Sequence, residues 1–144
     1  MDYSYTDEDI NNLIKVLPVA KEVKINLSVV PLKSVHLSQW SEMENHWQVI
    51  QFENGRLNSE DTKSIGKITS RAKLFELKNV LVKGGWSEFC KSFPQGLRSG
   101  GNCESVHFLG STAKDWGERL KDLSSAISWN VTKDESSHIC ISNQ

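Results

Sequence analysis

The chain is poor in the features that most often announce a function. It has three cysteines, Cys90, Cys103 and Cys140, an odd number with no CxxC spacing. That excludes a disulfide framework and points to reduced thiols. No run approaches the ~20 apolar residues needed to cross a bilayer, so no membrane partner is expected. The first residues, Met1 to Asp9, are acidic and polar where an export signal would be basic and then apolar. The expected compartment is therefore the cytoplasm, and the sequons at Asn26-Leu27-Ser28 and Asn130-Val131-Thr132 carry no weight. An excess of one charge is lacking too: 17 basic side chains face 18 acidic ones, for a net charge of −1. A strongly basic nucleic-acid protein is excluded by that balance.

Catalytic and ligand-binding signatures are equally scarce. The glycine-rich stretch Gln95 to Cys103 contains Gly96, Gly100 and Gly101 beside Arg98. Consecutive glycines can turn backbone N–H groups toward an anion. A P-loop, however, needs GxxxxGK[ST] opening a helix, and no Lys-Ser or Lys-Thr follows here. GxGxxG is absent as well. Arg98-Ser99-Gly100-Gly101 resembles the pyrophosphate loop of acetyltransferases in composition, but that loop enters a helix and this one is expected to enter a strand. A flexible connection needing positive φ accounts for the glycines more simply.

His36, His46, His107 and His138 are scattered, with no HxxxH or HExxH spacing, so no metal and no cofactor are expected. No GxSxG elbow occurs. A thiol enzyme would need a base beside its cysteine. Cys103 and His107 would share a strand face but lie roughly 13 Å apart by strand rise. Cys90 falls on an apolar helix face, and Cys140 alternates with Ile139 and Ile141. No catalytic residue is assigned.

What the sequence does contain is ordinary globular patterning. A length of 144 residues suits one domain, taken as 1–144, and 38% hydrophobic with 24% charged residues is typical usage. Such a domain buries roughly 68–70% of its unfolded surface. Thr6 and Asp9 form an Asp variant of the capping box, followed by Ile10, Leu13, Ile14 and Leu17 at helical spacing, which predicts a helix over 7–17. Val23, Ile25, Leu27 and Val29 alternate with polar residues, which predicts a strand ended by Pro31. Leu37, Trp40, Met43 and Trp47 recur at helical spacing. Asn54-Gly55, after the extended run Trp47 to Phe52, predicts a hairpin with a short return strand at Arg56-Leu57.

Ser59 to Ser64 reads as a polar loop and Ile65–Ser70 as a strand, while 71–83 fits strand or helix. Trp86, Phe89, Cys90 and Phe93 predict a short helix ended by Pro94 and Gly96. Val106 and Phe108 mark a strand. A helix opens at Thr112 with Trp116, Leu120, Leu123 and Ile127 as its buried stripe, and Ile139 and Ile141 mark a last strand. No internal repeat is evident. The expected fold is α+β, a single domain with a mostly antiparallel sheet and helices packed on one face.

Charge distribution is the most informative feature left. Lys63 to Arg98 carries +6, against −7 in the rest of the chain. Either these charges neutralise one another over the folded surface, or a basic patch docks a partner of opposite sign. Lys67, Arg71 and Lys73 would share a strand face; with Lys78, Arg98 and an exposed Trp40 they form the expected partner-binding set. Among the five tryptophans, Trp40 and Trp129 are the ones expected to be partly exposed, where aromatic anchors carry binding energy. The leading expectation is a small protein-binding module, an inhibitor or immunity-type protein that neutralises a toxin or enzyme by occlusion. A nucleic-acid-binding protein using the basic centre is the alternative, and an enzyme with a site near loop 96–107 is the third reading.

Overall fold

A computed structural model describes residues 6–83, 86–98, 103–116, 123, 125, 128–135 and 138–142. Helix α1 (Asp7–Val16) starts as its sequence dictates. Thr6 Oγ1 accepts from the Asp9 N–H at 3.2 Å, and Asp9 Oδ2 accepts from the Thr6 N–H at 2.9 Å. Pro18 sits at the start of a 3₁₀ turn, Leu17–Val19. The chain then runs through β1 (Glu22–Asn26), α2 (Ser34–Ser41), β2 (Trp47–Asn58), α3 (Thr62–Ser70), β3 (Ala72–Lys83) and α4 (Trp86–Leu97). It closes with β4 (Ser105–Leu109), α5 (Ser111–Trp116), β5 (Asn130–Glu135) and β6 (His138–Ser142).

The strands form one sheet in the order β1-β2-β3-β4-β6-β5. The class is α+β, as expected, but the sheet is mixed and mostly parallel. Strands β1 to β4 run parallel to one another, and β6 alone runs the other way, pairing antiparallel with both β4 and β5. The alternation that signalled one wet face is real. It does not report strand direction when a parallel sheet is covered on a single side. The fully buried residues of β1 to β4 lie on one face, where Trp40 of α2 packs against Phe52.

Local expectations change with the topology. Asn54 has φ 54°, as an Asn-Gly turn requires, yet the backbone does not reverse: β2 continues straight through Gly55 to Asn58, with Gly55 opposite Val80. Residues 65–70 are helical. Ile65 and Ile68 are fully buried at a spacing of three, and the Thr69 hydroxyl bonds the Ile65 carbonyl at 2.7 Å, which disposes of a polar group inside the helix. The β-branched residues that suggested a strand are tolerated because burial outweighs propensity. Residues 72–83 are a strand, burying Phe75, Leu77 and Val80 and leaving Leu81 40% exposed. Pro94 lies inside α4 and does not end it. Of the stripe expected after Thr112, Leu123 is buried, whereas Leu120 and Ile127 lie outside the described residues.

A repeat invisible in residue identities emerges from the register. Val23, Ile50, Phe75 and Val106 are aligned across β1 to β4, and so are Ile25, Phe52, Leu77 and Phe108. From Ile50 to Phe75 is 25 positions and from Phe75 to Val106 is 31. Each later unit also places a left-handed residue two positions beyond its second buried residue: Asn54, Asn79 and Gly110, with φ 54°, 53° and 64°. Asn79 ties one unit to the next, since its Oδ1 accepts from the Ser111 N–H at 2.9 Å. Thr112 adds a second tie, accepting from the Val80 N–H and donating to the Val80 carbonyl. Such stacked units bury a continuous core that no unit could form alone.

The core lies between the sheet and the helices. The two aligned apolar rows continue through Ile141 and Ile139 of β6, and every member is at most 7% exposed. Trp40 of α2 sits edge-on to both Trp47 and Phe52, with ring centroids 6.0 and 5.5 Å away. Helices α3 and α4 approach backbone to backbone, because Gly66 and Gly96 face each other's chain.

Candidate functional site on the open face of the sheet

Among the described residues, no layer covers the other side of the sheet. Alternation sends one set of side chains from each strand to that open face. Register lines them up in rows. One row reads Lys24, Gln51, Glu76, His107 and Cys140; the next reads Asn26, Glu53, Lys78, Leu109 and His138. All ten are half-buried or exposed, in contrast to the sealed rows behind them. Charged and polar residues are aligned across the strands. Glu53 is aligned with Lys78, and Gln51 Nε2 donates to Glu76 Oε2 at 2.9 Å.

Where β4 meets β6, three chemistry-bearing side chains come together. His107 Nδ1 and His138 Nε2 lie 2.8 Å apart with the rings stacked at 5.0 Å, and Cys140 Sγ lies 3.5 Å from His107 Nε2. Burial pushes the Cys140 thiol above its ordinary range. Burial and the neighbouring His138 hold His107 below the usual histidine value, while Glu76 pulls the other way. A thiol proton donated to His107 Nε2 leaves the ring proton on Nδ1, where it donates to His138. The three side chains thus form a hydrogen-bonded chain across two strands. A nucleophilic thiol needs the opposite arrangement, with a cation lowering its pKa. The juxtaposition of His107 with Cys140 was hidden in the sequence because it depends on an antiparallel register between segments 33 positions apart.

The residues expected to bind a partner do not form one patch. Trp40 is fully buried and Trp129 half-buried against the core. Lys67 lies on α3, 3.8 Å from Glu42. Arg71 ends α3 and its Nη1 donates to the Ser41 carbonyl. Lys73 is exposed near the start of β3, and Lys78 stands on the open face. Arg98 follows α4 and is exposed. The shared strand face expected for Lys67, Arg71 and Lys73 is therefore absent, because 65–70 is helical. Cys103 is 3% exposed and burial raises its thiol to about 12. Residues 99–102 of the glycine-rich loop lie outside the described residues. Among the described residues, no three His, Cys, Asp or Glu side chains are arranged to hold a metal ion, and no helix is long and apolar enough to cross a membrane.

No family model, curated protein or solved structure matches this chain. Its function is therefore argued from the face itself.

Proposed function

We propose that the chain is a protein-binding module that acts by occlusion, in the manner of an inhibitor or immunity protein, and that it docks its partner on the open face of the sheet. The observation that carries this reading is the face: parallel strands in register, uncovered among the described residues, with Lys24, Glu53, Glu76 and Lys78 in a mosaic of both signs. Stacked strand–helix units use such extended surfaces for binding, and a mosaic of charges selects partners by complementarity. The basic residues of 63–98 are dispersed over several surfaces, which favours a protein partner over a polyanion.

The test exchanges one charge pair. Glu53→Lys combined with Lys78→Glu keeps an opposite pair across β2 and β3 while inverting what a partner meets. Immobilised wild-type chain is expected to retain one protein in stoichiometric amount from its native extract, and the exchanged variant to lose it. Lys91→Glu, on α4, is expected to retain it. Retention of nucleic acid with an affinity that falls steeply with salt, or a captured protein indifferent to the exchange, would overturn the reading.

A further inference from the structure

We infer that the chain self-associates through the free edge of β1, as a two-fold antiparallel pair in which Glu22 of each copy faces Lys24 of the other. Strand β1 ends the sheet, and no described residue pairs its outer side. The Gln48 N–H bonds the Lys21 carbonyl and the Leu27 N–H bonds the Glu53 carbonyl, both at 2.8 Å. Odd-numbered residues therefore serve β2, and the N–H and C=O groups of Glu22 and Lys24 point outward. Such an edge is a template for a further strand.

The apolar surroundings point the same way. A groove of about 370 Å³ runs along this edge, lined by Leu13, Val16, Leu17, Val23, Val29 and Val30 among others. Val16 and Val29 in its lining are 55% and 45% exposed. A partner that continued the sheet alone would leave these side chains wet. A second copy of this chain continues both layers, its own α1 end and valines meeting these across the axis.

Two observations select the register. With the two-fold axis at Val23, each Glu22 is the hydrogen-bonded neighbour of a Lys24, so opposite charges pair twice. With the axis at Lys24, the two Lys24 side chains would oppose each other. That arrangement would also pair Glu22 with Asn26, whose carbonyl already accepts from the Val29 and Val30 N–H groups at 3.0 and 2.9 Å. The edge is self-complementary in one register only. The edge borders the open face and shares Lys24 with it, and dimerisation would join two open faces into one continuous sheet.

Sedimentation of the full chain over a range of concentrations tests the inference. A reversible monomer–dimer equilibrium is expected. Glu22→Lys or Lys24→Glu alone sets like charges across both pairs and should weaken it roughly tenfold; the two together should restore it. Glu22 and Lys24 are exposed, so the fold should persist in all three, as far-UV circular dichroism would show. A monomer at every concentration would overturn the inference, and so would a dimer unmoved by the single reversals or not restored by the exchange.

Discussion

A thiol attacks as its thiolate, and burial opposes that ionisation at both Cys103 and Cys140. The two differ in access: Cys103 is sealed, with its thiol near the Lys73 and Ser105 carbonyls, while Cys140 is half-buried on the open face. A thiol reagent applied to the folded chain at pH 8 should therefore label Cys140 well before Cys103, as peptide mapping would show. Equal rates would mean that β4 and β6 open together. The paired histidines make a second prediction at this scale. His107 titrates below the ordinary value of about 6.5 in the folded chain because burial and His138 resist its charge. As pH falls through 6.5 the unfolded chain takes up a proton that the folded chain refuses. Stability should then decline with falling pH until the lower, folded-state value is passed, and flatten below it. Urea unfolding of wild type and His107→Gln between pH 8 and pH 5 isolates this contribution, and an identical slope in the variant would remove His107 from the account. Cys140 was legible in the sequence as a strand residue opposite two buried isoleucines. Its histidine partner was not, because pairing across the sheet is a property of register and of nothing nearer in the chain.

At the scale of elements, most starts and stops were legible where the signal was local. Thr6 and Asp9 set the start of α1, and the alternation of Ser105 to Leu109 and of His138 to Ser142 marked β4 and β6. Errors arose where one local signal serves two purposes. Asn54-Gly55 supplies a positive φ, which closes a hairpin in antiparallel strands but here continues β2 beside a partner carrying the same device at Asn79. The alternation of β1 to β3 reported one covered face and was silent on direction. The repeat was hidden because its aligned positions hold different apolar residues, so only geometry makes Ile50, Phe75 and Val106 equivalent. Asn79 shows what the device does. Replacing it by Ala removes the bond to the Ser111 N–H and leaves a Cβ residue at φ 53° without the side-chain compensation. Asn79→Ala should cost about 1–2 kcal/mol in chemical denaturation, and Asn79→Gly less, since Gly adopts that φ freely. The crossing of α3 and α4 predicts a different penalty. A Cβ at Gly96 would fall on the Lys63 carbonyl oxygen and close to the Lys67 nitrogen, both backbone atoms that cannot swing aside. Gly96→Ala should cost about 1–3 kcal/mol as overpacking.

For the whole molecule, the excess of basic residues between Lys63 and Arg98 first read as one docking surface. Folding distributes those charges among jobs. Arg71 fastens the end of α3 to α2 through the carbonyl of Ser41, itself only 3% exposed. Lys67 faces Glu42 in a pair whose acidic member is 74% exposed, and an exposed pair of this kind contributes little. Lys73 and Lys78 stand one strand residue out of phase, so only Lys78 belongs to the open face. A combined reversal of Lys67, Arg71 and Lys73 would therefore confound folding with binding, and the three must be separated. Arg71→Glu removes a charge-assisted hydrogen bond and places a carboxylate against a carbonyl oxygen. It should lower stability by about 1.5–3 kcal/mol. Lys67→Glu and Lys73→Glu should each stay within about 0.5 kcal/mol, as surface changes do. Thermal unfolding of the three single variants checks this division. If Arg71→Glu melts with wild type, the guanidinium is free to serve a partner and the basic segment regains its claim as a docking surface. If it melts early while Lys73→Glu does not, Arg71 is spent on holding α3 to α2, and a docking surface built on Lys67, Arg71 and Lys73 together is gone.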